Sequence, residues 1–275
     1  MQELFDRGRC AVLANVGTLV EPTTRKQFRE KSVPMPSRLF SHNDQQEYWQ
    51  GKFGQNTAGV PLGWAGRMAD MLFEAGNHSR VPMNISLSGS NLWQSGQRAQ
   101  AYNMSPYGLS QFFGLDRTNN NWQEKNRIIT FDRLMQTGQN NPFSQQYSVI
   151  AERAEQLGVI LKDSMGNTNE GGIAFPDTDP GKKLRTVLQA IAARNTLGMS
   201  RQIFFVGIGG WDSHQAQAAN QPVLLGNLSE ALKAFYDGTE QLGLAHNVTT
   251  FTASDFGRTL SSNGDGTDHG WGGHQ

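Results

Sequence analysis

A single cysteine in 275 residues excludes an internal disulfide framework and any paired-cysteine zinc site. Cys10 stands in the apolar run Cys10-Ala11-Val12-Leu13-Ala14, where a buried, inert thiol is expected. Net charge is also lacking: 24 basic residues balance 24 acidic ones, and no run of Lys or Arg stands out. A nucleic-acid groove or a surface for anionic membranes therefore has no electrostatic support. No apolar stretch is long enough to span a bilayer. Met1-Gln2-Glu3-Leu4 has neither the basic start nor the apolar core of a secretory signal. The phosphate loop G-x-x-x-x-G-K-[ST] and the nucleophile elbow G-x-S-x-G are both missing. Gly207-Ile208-Gly209-Gly210 begins like a dinucleotide fingerprint but lacks its third glycine.

What the chain does have is concentrated near its end. Three glycine-rich motifs stand there: Gly209-Gly210-Trp211-Asp212-Ser213-His214, Ser254-Asp255-Phe256-Gly257-Arg258-Thr259, and Thr267-Asp268-His269-Gly270-Trp271-Gly272-Gly273-His274. Imidazole and carboxylate together form the ligand set of a hydrolytic divalent-metal site. Glycine lets the backbone fold closely around a small centre. A site this dense at the edge of a polypeptide suggests a fragment of a longer protein.

Periodicity gives a coarse architecture. Trp64, Met68, Met71, Leu72 and Ala75 follow helical spacing, as do Tyr147 to Leu161 and Leu184 to Ala192, the last entered through Asp179-Pro180. Ile203 to Ile208 reads as a buried strand, Leu225 to Leu242 as a helix, Val248 to Thr252 as a second, β-branched strand, and Cys10 to Val16 as a short β-like run. The alternation predicts an α/β fold with a parallel sheet covered by helices. Residues 79–141, rich in Asn, Gln, Gly and Ser, read as surface excursions or a cap within a single domain covering 1–275.

In an open parallel sheet, ligands gather beyond the carboxyl ends of the strands. Asp212 and His214 follow one expected strand and Asp255 follows another, so all three should face one crevice, with heads within about 10 Å, as shared ligation demands. Each has a plainer alternative: Asp212 as a helix cap, Asp255 as a cap or a partner for Arg258. His269 and His274 lie in a stretch too glycine-rich for a helix and are placed on a loop. Ser41-His42-Asn43-Asp44 offers another imidazole and carboxylate, but reads better as a turn entering a helix. His78 and His246 read as surface turn residues.

These residues carry a family resemblance. Gly209 to Gln215, Thr250 to Leu260 and Asn263 to His274 closely resemble the DUF1501 family of bacterial proteins of unknown function. Ser41 to Gln46 and Gly63 to Arg67 match it too, so the likeness covers nearly the whole chain. The resemblance implies an alkaline-phosphatase-like domain, related to sulfatases, with a largely parallel sheet, helices on both faces and metals above its carboxyl edge. It implies a divalent ion (zinc, calcium, magnesium or manganese) held by Asp212, His214, Asp255, His269 and His274. Phe256 stands where that superfamily has a histidine, which weakens a second metal position. Family members tend to begin with a twin-arginine export signal, implying a periplasmic or otherwise exported protein truncated here at both ends. Its expected substrate is a small phosphate or sulfate ester, with Arg258 binding the anionic oxygens and the nucleophile outside the fragment. The alternative is a non-catalytic exported binding or scaffold protein that keeps the fold. Of the two late histidines, His269 is favoured as ligand, with Asp268 as its outer partner.

Overall fold

Leu184, Val187, Leu188 and Ile191 repeat at helical spacing, and all four are buried. They form the inner stripe of the helix around which the rest of the molecule packs. A computed structural model of the chain describes residues 1–52, 61–72, 77, 79–106, 114–137, 141–166, 168 and 172–275. Its helices are α1 (Gln2–Asp6), α2 (Arg25–Glu30), α3 (His42–Glu47), α4 (Trp64–Met71), α5 (Trp122–Gln136), α6 (Pro142–Gly166), α7 (Asp179–Ala192) and α8 (Gln217–Gln241). A single π-helical turn, Tyr48–Lys52, follows α3. The strands are β1 (Asn84–Ser86), β2 (Tyr102–Asn103), β3 (Ile203–Phe205), β4 (Gly257–Ser262) and β5 (Thr267–Gly270).

The central sheet is parallel, in the order β2-β1-β3, with Ile85 opposite Phe204 and Tyr102. Ile85 and Leu87 point into a core filled by Leu157 and Leu161 of α6, the stripe of α7, and Ala231 and Phe235 of α8. Small residues let α7 and α8 approach closely: a Cβ on Gly238 would lie 2.3 Å from a Leu188 methyl. The entry of α7 follows its sequence, with Thr178 as cap accepting from the Gly181 N–H and Pro180 in the first turn.

Long helices were expected on both faces, but α6, α7 and α8 form a single core with the sheet. On the opposite face, Asn84 donates to the Gln94 carbonyl, and Gln94 donates to the carbonyls of Ile85 and Ile203. A loop over 89–96, backed by α4, thus takes the place of a helix. Asp70 of α4 secures that loop by accepting the backbone N–H groups of Gln97, Arg98 and Ala99. Burial raises the Asp70 carboxyl, but these three donors outweigh it and hold the group below its ordinary value. A depressed carboxyl contributes stability above its unfolded pKa and loses it as pH falls through the folded one. We therefore expect Asp70→Asn to cost about 1 kcal/mol at neutral pH, a partly solvated hydrogen-bond network, and nothing in strong acid. Urea unfolding at several pH values measures this.

Several expectations are corrected. Val248 to Thr252 forms no strand: it is mostly exposed and lines the same cleft as β3, which among the described residues pairs only with β1. The strand at Ile203 is three residues long and half-buried rather than a buried run to Ile208. The stretch read as surface excursions supplies β1, the middle strand, as well as β2 and α5. Cys10 is half-buried, and Leu13 and Val16 pair in antiparallel fashion with Gln275 and Gly273 at the chain's end. The apolar face expected from Leu225 onward is only half filled: Ala231 and Phe235 are buried, while Leu225 is exposed. Ala75, Gly76 and His78 lie outside the described residues. No helix among the described residues is long and apolar enough to cross a membrane.

Candidate metal centre

After β3 the chain runs through Gly210, whose φ of 94° suits glycine, and turns past Asp212 and His214 before α8 begins. The antiparallel pair β4–β5 docks against this turn. A Cβ on Gly266 would lie 2.4 Å from the His214 backbone, so only glycine permits the approach. Asn263 completes the joint, its side-chain amide donating to the His214 carbonyl and to Asp268. The glycine-rich stretch read as a loop is thus partly strand: His269 lies on β5, opposite Arg258 on β4.

A third element completes the site. The N-terminus of α3 presents His42, and the helix is anchored by the buried Gln45, which donates to the carbonyls of Ser37 and Arg38 and accepts from Thr18. His42 Nδ1 is 2.9 Å from Asp255 Oδ2, and its Nε2 is 3.4 Å from Asp212 Oδ2. Asp212 is the hub. Its Oδ1 lies 3.0 Å from His214 Nε2, 3.0 Å from His269 Nε2 and 2.7 Å from Arg258 Nη1. Phe256, buried, floors the site with its ring centroid 4.1 Å from that of His269 and 4.7 Å from that of His42.

The electrostatics follow from these contacts. Burial raises the Asp212 carboxyl, but hydrogen bonds from Arg258, His269 and His42 outweigh it and bring it down to about 2. Burial lowers His42, yet the carboxylates of Asp255 and Asp212 prevail and raise it above the ordinary histidine value. One donor atom each from His42, Asp212 and His269 lies within 4.8 Å of the others, and imidazole with carboxylate is a donor set that suits a divalent ion.

The chain belongs to the DUF1501 family. That family's model, described as a protein of unknown function, matches residues 1–274. No curated protein and no solved structure was found to match the chain.

Among the family's motif residues expected at the site, the structure brings Asp212, His214, Asp255 and His269 together. His274 stays apart: it is exposed on the segment that pairs with Leu13 and Val16, and it lines the cleft without bonding to the cluster. Asp268 partners His214 rather than its neighbour His269, whose Nδ1 donates to the Phe40 carbonyl at 2.8 Å. Adjacent residues on a strand point to opposite sides, which separates the two. Arg258 pairs with Asp212 and Thr267, not with Asp255. His42 is the residue that sequence reasoning passed over. The helix start at Ser41-His42 was legible, but the direction in which that N-terminus faces was not. The cluster sits on a cleft of about 2290 Å³ bordered by Trp49, Trp64, Phe205 and Phe251.

Proposed function

We propose that this DUF1501 chain is a metal-dependent hydrolase of phosphate or sulfate esters on an alkaline-phosphatase-like scaffold. The observation that carries the reading is the convergence of His42, Asp212 and His269 beside a large cleft that His42 and Asp212 line. An ion held there supplies Lewis-acid polarisation of an ester oxygen. The chain's own residues hold the site in shape: Arg258 keeps Asp212 ionised and fixed, and Phe256 excludes water from one side.

A screen of phosphate and sulfate monoesters and diesters, with metal-loaded and chelated protein, tests the reading. Turnover that disappears on chelation and in Asp212→Ala supports it. Stoichiometric metal without turnover of any ester rejects it in favour of a non-catalytic exported binding or scaffold protein. One observation favours that second reading: Arg258, the cation expected to receive the ester oxygens, is already committed to Asp212 and Thr267.

A further inference from the structure

We infer that the ion is a nitrogen-preferring transition metal of the zinc class, held by Nε2 of His42, His214 and His269 and by Asp212, and that Asp255 orients His42 instead of ligating. This rests on the metal reading above and specifies its chemistry.

The inference comes from the outer nitrogens of the three rings. His269 Nδ1 faces the Phe40 carbonyl, which can only accept, so this nitrogen carries the proton. His214 Nδ1 faces the Asp268 carboxylate at 3.2 Å, and His42 Nδ1 faces that of Asp255 at 2.9 Å. Each ring therefore donates from Nδ1 to an oxygen and turns Nε2 inward. Metal-binding imidazoles are held in just this way, by a carbonyl or carboxylate on the far nitrogen.

The inner nitrogens then converge on Asp212, and a neutral ring that carries its proton on Nδ1 has none left to donate there. His214 Nε2 and His269 Nε2 stand 3.0 Å apart, and each is 3.0 Å from Asp212 Oδ1. Neutral rings with protonated Nδ1 would face each other lone pair to lone pair and both would face a carboxylate, an arrangement that either a second proton on each ring or a bound metal ion resolves. These three separations approach the edge of a tetrahedron with bonds near 2.0–2.1 Å, which is about 3.3 Å, and His42 Nε2 adds a fourth donor 3.4 Å from the other Asp212 oxygen. Calcium and magnesium seek sets made chiefly of oxygen. Three imidazoles and one carboxylate suit zinc or its neighbours.

Asp255 is differently occupied. Its Oδ2 accepts from His42 and, at 3.0 Å, from the Gln46 amide, while Oδ1 accepts from the Trp49 indole at 3.4 Å. Both oxygens are engaged away from Asp212, which makes Asp255 a positioning residue.

The test uses the whole chain, stripped of metal and dialysed against zinc, cobalt(II), manganese, magnesium or calcium, with bound metal counted and affinity set by chelator competition. We expect one equivalent of zinc, and cobalt(II) absorption in the visible range with a nitrogen-rich tetrahedral signature. His214→Ala should weaken zinc binding by more than about 100-fold, whereas Asp255→Ala should weaken it about 10- to 100-fold at unchanged stoichiometry. Asp255→Asn, which keeps an acceptor for His42, should recover much of that loss. Circular dichroism on each variant separates lost ligation from lost fold. Full occupancy by calcium or magnesium in preference to zinc overturns the inference while the metal reading stands. So does undiminished zinc binding by His214→Ala, or loss of stoichiometry in Asp255→Asn. Binding of no ion at all overturns both, and assigns the space between the rings to a shared proton.

Discussion

Asp212→Ala is expected to reduce metal affinity at least about 100-fold, as much as His214→Ala. Losing even an outer partner of a ligand costs 10- to 100-fold, and Asp212 touches all three histidines. Its carboxylate meets His214, His269, His42 and Arg258 at 3.0, 3.0, 3.4 and 2.7 Å. The substitution also leaves the Arg258 guanidinium, mostly buried, with only Thr267 to receive its N–H groups. Asp212→Asn separates the two effects, since the amide keeps the shape and removes the charge that attracts a cation. Chelator competition on both variants gives the comparison. Affinity within threefold of the parent chain would remove Asp212 from the centre of the site.

Gly66→Ala should be among the most damaging small substitutions, with a loss of about 3 kcal/mol and a fall in melting temperature of roughly 5–10 °C. A Cβ at Gly66 would stand 2.1 Å from the carbonyl carbon of Ser95 and 2.2 Å from its oxygen. Both are backbone atoms, held in place by Gly66 N–H donating to Trp93 and Gly63 N–H donating to Ser95. The neighbour therefore cannot swing aside as a flexible side chain would. The damage should spread, because Trp64 beside it donates to the Trp49 carbonyl, and Trp49 donates to Asp255. Gly226→Ala is the contrasting case. That glycine is exposed within α8, ordinary in backbone angle, with open space where a Cβ would go. Alanine there should add about 0.5–1 kcal/mol through helix propensity alone. Thermal unfolding of the two variants beside the parent measures both, and equal effects would contradict the close approach of α4 to the 92–96 loop.

Local signals made the helices readable. The stripe of α7 and its entry through Asp179-Pro180 needed only spacing and chemistry, and the structure keeps both, with Thr178 as the cap. The motif residues Asp212, Asp255 and His269 stood out because carboxylate and imidazole set in glycine are uncommon in a plain turn. Strands were less readable. Val248 to Thr252 has the β-branched composition of a strand, yet among the described residues no strand pairs with it, and a strand exists only as part of a ladder. β1 was missed for the opposite reason. Its flanks are rich in polar residues, but Asn84 Nδ2 donates to the Gln94 carbonyl and Ser86 Oγ to that of Gly89, which lets polar residues occupy the middle of the sheet although the buried Asn84 Oδ1 finds no partner among the described residues.

The sequence by itself determined that this chain is an α/β member of the DUF1501 family with a single cysteine and so no internal disulfide, and it singled out Asp and His near residues 212–269 as the candidate site. Only the tertiary structure decided which of them meet. It brought His42 across more than two hundred residues to Asp255, left His274 outside, gave Asp268 to His214, and gave His269 the carbonyl of Phe40. The reason is physical. Donor types are written in side chains one residue at a time, whereas ligation depends on directions, and those are set by how β4–β5 and α3 dock on the turn after β3.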